Sequence, residues 1–148
     1  CVLFAPPSVF EKAKKRYKNV NCVFFRSGTS YTAEGIVFRA VKAEHSDTEA
    51  VGVIISCEGK DLYITGDTLY SEQVFESLPE NLNCYAVFLP INGRGNNMNA
   101  ADAARFLKRI KYRFAVPMHF GLFDDLTGCE LSCENAVIPE IYKEIMLK

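Results

Sequence analysis

The chain has 148 residues, 49% of them apolar, which is enough for one domain with a substantial core. Its 17 Lys and Arg residues nearly balance 18 Asp and Glu residues, and the formal net charge is -1. Such a chain has no general electrostatic attraction to nucleic acid or anionic membranes, so we expect neither as a partner. No segment approaches the roughly 18 apolar residues needed to cross a bilayer.

The predicted elements alternate between strands and helices in a single mixed α/β domain, residues 1–148. In chain order they are strand Val2–Ala5, helix Ser8–Tyr17, strands Asn21–Phe25, Gly35–Val41, Ala50–Cys57 and Asp61–Thr65, helix Ser71–Leu78, strand Cys84–Leu89, helix Ala100–Ile110, strand Phe114–Pro117 and helix Glu134–Met146. This order predicts helices that cover a mixed sheet.

Capping residues and proline define the predicted helix boundaries. Ser8, with Glu11 three residues later, has the pattern of a capping box. Asn99 is a good N-cap for the helix that starts at Ala100. Pro139 is expected to break or kink the last helix.

The six cysteines and the first residues of the chain indicate in which cellular compartment the protein is expected. Most of the cysteines lie in or beside apolar runs, where a free thiol packs as a small hydrophobic group. The opening run Cys1–Ala5 is too short for a signal-peptide core. We therefore expect reduced cysteines and a cytoplasmic location. The first residue is not Met, which fits a chain that begins inside a longer gene product or has been processed.

Three polar residues directly follow predicted strands. His45 and His119 are the only histidines of the chain, and Gly66 lets the backbone turn before Asp67. Functional groups gather at strand ends because the sheet fixes them while leaving them exposed. Two imidazoles and a carboxylate suit zinc, manganese or iron, so the pattern indicates a metal site. Taken singly, each residue is more typical of an ordinary surface histidine or turn than of a metal ligand.

The loop between Pro90 and Asn99 is rich in glycine and asparagine and precedes a predicted helix. Its candidate substrate-binding side chains are Asn92, Arg94, Asn96 and Asn97. Amides at a helix start favour an anion, and an arginine can clamp a phosphate or carboxylate. The alternative is an ordinary connection, because Asn and Gly are the usual turn residues.

Four blocks together resemble the metallo-β-lactamase superfamily, in the branch of L-ascorbate-6-phosphate lactonase and related metal-dependent hydrolases. In order, they are Ala43-Glu44-His45-Ser46-Asp47, Thr65-Gly66-Asp67-Thr68, Leu89-Pro90-Ile91-Asn92-Gly93-Arg94 and Val116-Pro117-Met118-His119-Phe120. The resemblance implies part of an αββα sandwich that holds one or two divalent ions, zinc or manganese. It makes His45 a ligand of the first metal, Asp67 the bridging and catalytic carboxylate, and His119 a ligand of the second metal.

The resemblance also implies the chemistry and the supporting residues. Metal-activated water would attack a lactone, ester or phosphoester, and the loop asparagines and Arg94 would contact a small, phosphorylated substrate. Ser46, Asp47 and Thr68 would hold the ligands in place.

The departures from this family change what we expect of these 148 residues. The family's first metal motif, His-x-His-x-Asp-His, and its N-terminal strands are absent, so the chain matches the C-terminal portion and should have little or no activity alone. A homo-oligomer or the N-terminal segment should cover the exposed core face. Two alternatives are a non-catalytic module stabilised by self-association and a nucleotide or sugar-phosphate domain, although no Gly-x-Gly-x-x-Gly motif is present.

Overall fold

The computed structural model describes residues 1–122, 124–140 and 142–147. Its elements are β1 (Val2–Ala5), α1 (Pro7–Arg16), β2 (Asn21–Phe24), β3 (Ser30–Ala33), β4 (Ile36–Lys42), β5 (Val51–Cys57), β6 (Lys60–Ile64), α2 (Glu72–Ser77), β7 (Asn83–Pro90), α3 (Ala100–Leu107) and β8 (Lys111–Met118). In these ranges, no helix is both long enough and apolar enough to cross a membrane.

Strands β3 to β8 form one six-stranded sheet in chain order, and β1 and β2 form a separate parallel pair. Neighbouring strands are antiparallel from β3 to β6 and parallel from β6 to β8. Strands β4, β6, β7 and β8 therefore point in the same direction. Their carboxyl ends lie at one edge of the sheet, where the loops that follow them are brought together.

One face of the sheet packs against α2 and α3 and forms the core. Ile54, Tyr63, Val87 and Ala115 are direct neighbours across β5 to β8, and each is at most 2% exposed. Phe106 of α3 packs above them, with its ring centroid 6.3 Å from that of Tyr63. Burial of these side chains provides the hydrophobic stabilisation of this layer and keeps the strand ends in fixed positions.

The opposite face of the sheet is only partly covered. Phe4 of β1 contacts Phe38 of β4, with ring centroids 5.1 Å apart, and so covers one end of this face. Further along, β5 to β8 present apolar side chains that are half-buried: Val53, Ile55, Leu62, Ile64, Phe88 and Phe114. Strand periodicity places them opposite the helix-covered core.

Most of the predicted elements are confirmed to within a few residues, but one strand was missed and one predicted helix is wrong. Strand β3, Ser30–Ala33, was missed, although it pairs with β4. The predicted helix Glu134–Met146 is absent from residues 134–140 and 142–146, while Ile141 lies outside the described residues. Ala136 instead bridges to Ala115 at the free edge of β8. Backbone bonding to that edge replaces the weak helical tendency of a segment that contains proline.

Capping was predicted correctly for one helix and incorrectly for another. The Asn99 side chain accepts a hydrogen bond from Asp102 N at 2.8 Å, as an N-cap should. Helix α1 instead starts at Pro7, and its N-cap Pro6 makes no side-chain capping bond. The Ser8 hydroxyl donates to Asp47 Oδ2 at 2.6 Å, so it contributes to a contact between α1 and a loop near the site.

Candidate metal centre

The three residues predicted to bind metal lie at the same edge of the sheet. His45 follows β4, Asp67 follows β6 and His119 follows β8. His119 Nε2 is 3.0 Å from Asp67 Oδ1, and His45 Nε2 is 3.9 Å from Asp67 Oδ2. The fold therefore brings together residues that are far apart in sequence, with Asp67 between the two imidazoles.

The donor atoms form two pairs that share one carboxylate. Each Asp67 oxygen faces a different histidine nitrogen. Within residues 1–122, 124–140 and 142–147, no three His, Cys, Asp or Glu side chains form a cluster that could hold a single ion. The described residues therefore bring together two imidazoles and one shared carboxylate, rather than a complete ligand set for one ion. Each pair has fewer protein ligands than the three of a typical catalytic zinc site.

Close backbone packing shapes the turn that presents Asp67. Gly66 has a φ of +68°, and a Cβ there would lie 2.9 Å from Val51 O. In β5, a Cβ on Gly52 would lie 2.7 Å from Thr65 O. Both distances are shorter than real Cβ contacts, so glycine is required for β5 to approach this turn. The approach directs the chain out of the sheet immediately before Asp67.

His119 has a left-handed backbone conformation. Its φ is +56°, in the left-handed region that non-glycine residues rarely adopt. A residue in this conformation is held there by the structure around it. The sequence shows only that His119 follows a strand, so this feature was not predicted.

The three predicted supporting residues make different contacts. Ser46 Oγ lies 3.1 Å from His45 Nδ1, and a hydrogen bond there helps to fix the orientation of the ring whose Nε2 faces Asp67. Thr68 is fully buried, and its hydroxyl accepts from Glu44 N at 2.8 Å. The Asp47 carboxylate, in contrast, accepts from the Ser8 hydroxyl and from the backbone N–H two residues later, at position 49, and so orders the loop.

Hydrogen bonding lowers the pKa of Asp47. The Ser8 hydroxyl is the largest cause, followed by the backbone N–H at position 49. A carboxyl group with a lowered folded-state pKa stabilises the fold at pH values above its unfolded pKa of about 3.9. That contribution is lost as the pH falls through the folded-state pKa.

The replacement Asp47→Asn should make stability less sensitive to acid. We expect the urea midpoint of the variant to fall less than that of the wild type between about pH 6 and pH 3. Ser8→Ala should show part of the same flattening, because it removes the largest cause of the lowered pKa. Urea unfolding at a series of pH values measures this effect. If the urea midpoints of the wild type and of Asp47→Asn fall in parallel as the pH is lowered, the stabilising role of the Asp47 carboxylate is refuted.

A pocket of about 570 Å³ opens beside Asp67 and His119. The predicted substrate residues Asn92, Arg94 and Asn97 line it. Asn97 is 6% exposed, and its Oδ1 atom has no hydrogen-bond partner among the described residues. A buried amide oxygen without a partner is rare, because water or a ligand usually supplies the missing donor.

Asn96 is not among the residues that line this pocket, and its predicted contact with substrate stays a prediction. It is exposed and has a φ of +64°, which places it in the tight turn between Gly95 and Asn97. Asparagine tolerates this conformation better than most residues, and this explains its presence there.

The segment after His119 forms a wall of the pocket that was not predicted from the sequence. Phe120, Leu122 and Asp124 also line the pocket. Asp124 Oδ1 accepts from Gly121 N at 2.9 Å and from Leu126 N at 3.1 Å, which closes the turn. The available signal was an aspartate a few residues beyond a strand-end histidine, a common turn-forming position.

Several curated proteins have similar sequences, although no protein-family model matches the chain. A UPF0173 metal-dependent hydrolase of Thermoplasma volcanium is 26% identical over 156 residues, covering 95% of this chain and 69% of the relative. UPF0173 metal-dependent hydrolases of a Polaromonas species and of Deinococcus radiodurans are 36% and 32% identical. These two matches cover 66% and 73% of this chain, but only 42% and 50% of the relatives. The chain thus spans about half the length of these two relatives.

Solved structures share the fold at lower sequence identity. A metallo-β-lactamase-fold protein of Bacillus subtilis superposes with a TM-score of 0.72 at 18% identity, covering 93% of this chain and 61% of that protein. A metallo hydrolase of Ignicoccus hospitalis superposes with a TM-score of 0.68 at 23% identity, covering 81% of this chain and 53% of that protein. These likenesses confirm the predicted mixed α/β architecture.

The chain has the metallo-β-lactamase fold, with its strand-end residues at the sheet edge described above. Its similar curated sequences are those of UPF0173 metal-dependent hydrolases.

Proposed function

We propose that this chain carries part of the active site of a metal-dependent hydrolase, with His45, Asp67 and His119 as metal ligands. The observation that carries the proposal is the Asp67 carboxylate, whose two oxygens face the Nε2 atoms of two histidines. The names of the relatives support the same class of reaction. The finer resemblance to the L-ascorbate-6-phosphate lactonase branch makes a lactone, ester or phosphoester the expected substrate.

Each side chain has a distinct role in this proposal. His45 and His119, each through Nε2, and the Asp67 carboxylate would hold the metal, and Asp67 would also orient the attacking water. A bound zinc or manganese ion would supply an activated water and polarise the oxygen on which negative charge develops. Asn92, Arg94 and Asn97 would orient the substrate in the adjacent pocket.

The 148 residues alone should bind metal weakly and hydrolyse little. Each pair supplies one imidazole and one carboxylate oxygen, whereas catalytic zinc sites usually have three protein ligands. The further ligands would come from the part of the relatives that this chain does not match. A cytoplasmic location remains an expectation from the sequence.

Metal titration of the chain tests the proposed ligand set. We expect calorimetry with Zn²⁺ and Mn²⁺ to show saturable but weak binding, and the double variant His45→Ala/His119→Ala to abolish it. In thermal unfolding, metal equal to about 100 times the dissociation constant should stabilise the fold by about 2.7 kcal/mol. Equal binding by the wild type and the double variant would refute the ligands. A midpoint rise of many degrees at micromolar metal would instead refute weak binding.

A second candidate function is a non-catalytic module that self-associates through the partly covered sheet face. The half-buried apolar side chains of β5 to β8 favour this alternative. It predicts a dimer in analytical ultracentrifugation and conversion to a monomer by Phe88→Asp. A monomeric wild type that binds metal would favour the hydrolase.

A further inference from the structure

Thr68 is a polar residue in the core immediately after Asp67, and it is fully buried. Burying a hydroxyl is unfavourable unless it is hydrogen-bonded. Thr68 Oγ1 accepts from Glu44 N at 2.8 Å and donates to Leu69 O at 3.1 Å. Its backbone oxygen accepts from Met98 N at 2.8 Å. One residue therefore satisfies backbone groups of three different segments.

These three segments carry the groups assigned to the site. Glu44 directly precedes His45, Thr68 directly follows Asp67, and Met98 directly follows the pocket residue Asn97. A second bond, from Leu69 N to Glu44 O at 2.9 Å, joins the first two segments again. The segments are thus joined through Thr68 and its immediate neighbour.

We propose that Thr68 is a positioning residue whose hydroxyl holds the His45 segment against the Asp67 segment. The inference rests on the proposed function, because it assigns these two residues as metal ligands. Loss of the hydroxyl would leave Glu44 N without its partner in a partly buried position. An unpaired buried donor is unfavourable enough to displace the segment toward solvent, which would move His45 away from Asp67.

Two replacements separate this role from simple filling of the core. Thr68→Val keeps the branched shape and removes the hydroxyl, whereas Thr68→Ser keeps the hydroxyl and removes a methyl group. If the hydroxyl positions the ligands, the valine variant should lose metal affinity and the serine variant should retain it. If Thr68 only fills space, the serine variant should lose more metal affinity than the valine variant, because only serine leaves a cavity in the core.

The first measurement is the Co²⁺ and Zn²⁺ affinity of the full chain by calorimetry, with the Co²⁺ absorption spectrum as a probe of ligand geometry. We expect Thr68→Val to weaken binding by about 10- to 100-fold, as is usual when a residue that orients a ligand is lost. Thr68→Ser should bind like the wild type and give the same spectrum. Equal affinity of the wild type and the valine variant would overturn the proposal but leave the proposed ligands intact.

The second measurement needs no metal. In NMR hydrogen exchange, Thr68→Val should accelerate exchange at the Glu44 amide, and Thr68→Ser should not. The Met98 amide is the internal control, because it bonds to the backbone oxygen of Thr68, which every replacement retains. Unchanged exchange at Glu44 in the valine variant would overturn the proposal.

The two measurements distinguish failure of this proposal from failure of the proposed function. A wild type that binds no metal would refute the function, while Glu44 exchange would still decide whether Thr68 holds the segment. If Thr68→Val does not fold, Thr68→Cys replaces the hydroxyl with a weaker hydrogen-bonding group. The cysteine variant should then show a smaller loss of metal affinity and a smaller acceleration of exchange at the Glu44 amide. Metal affinity and Glu44 exchange equal to those of the wild type would overturn the proposal.

Discussion

The replacement Asp67→Ala is expected to lower the affinity of the chain for Zn²⁺ and Mn²⁺ by more than about 100-fold. Asp67 is common to both donor pairs. Its loss would leave a bound metal with only a histidine from each pair. Loss of residues that merely orient ligands already weakens metal binding by about 10- to 100-fold. Loss of the shared ligand itself should therefore have a larger effect.

Calorimetric titration of the purified chain measures this effect directly. The exposed Asp125 provides the control, because Asp125→Asn removes one negative charge without removing a proposed ligand. The control variant should bind metal like the wild type. Similar losses in the two variants would indicate general charge attraction, and no loss in Asp67→Ala would exclude Asp67 as a ligand.

The replacement Gly66→Ala is expected to lower the free energy of unfolding by about 2–5 kcal/mol. A non-glycine residue in the left-handed region costs about 1–2 kcal/mol. The added Cβ would also lie 2.9 Å from Val51 O, and overpacking of this kind costs about 1–3 kcal/mol. Because Gly66 precedes Asp67, the accompanying shift should also weaken metal binding.

Gly59 is a matched control for this replacement. Its φ of +72° is close to the +68° of Gly66, but a Cβ there would meet nothing within 4 Å. Gly59→Ala should therefore show only the backbone cost of about 1–2 kcal/mol. Urea unfolding of the two variants measures the difference. Equal losses would mean that the contact with Val51 adds nothing.

The sequence predicted the convergence of the site because it depends on topology rather than on side-chain detail. The β5–β6 hairpin was visible in a Val- and Ile-rich run followed by the turn at Gly59. His45, Asp67 and His119 were each expected at a strand end, and the structure shows that β4, β6 and β8 run in the same direction, so the three residues lie at one edge of the sheet. The structure places these three residues together, as two pairs that share the carboxylate.

Features that depend on distant contacts could not be read from local patterns. The Ser8 hydroxyl has the right spacing for a cap, but it bonds to Asp47, 39 residues away. The segment after Glu134 has apolar residues at suitable intervals for a helix, yet its backbone bonds to Ala115 in β8. Each error arose where a tertiary hydrogen bond replaced a local one.

The wall of the pocket was predicted only in part for a similar reason. Asn92, Arg94 and Asn97 stood out because the glycine-rich loop precedes a helix. Asn96 has the same residue type and sits in the same loop, but the left-handed turn places it outside the pocket wall. Residue type and spacing therefore identified the loop but not the direction of each side chain.

The most direct test of the proposed metal ligands is a crystal structure of the chain with Mn²⁺ or Zn²⁺, in which anomalous scattering locates the metal. We predict an anomalous peak about 2.0–2.2 Å from an Asp67 oxygen and from Nε2 of His45 or His119. Metal peaks only at other residues, or imidazoles that point away from Asp67 in the metal-soaked crystal, would contradict the assignment.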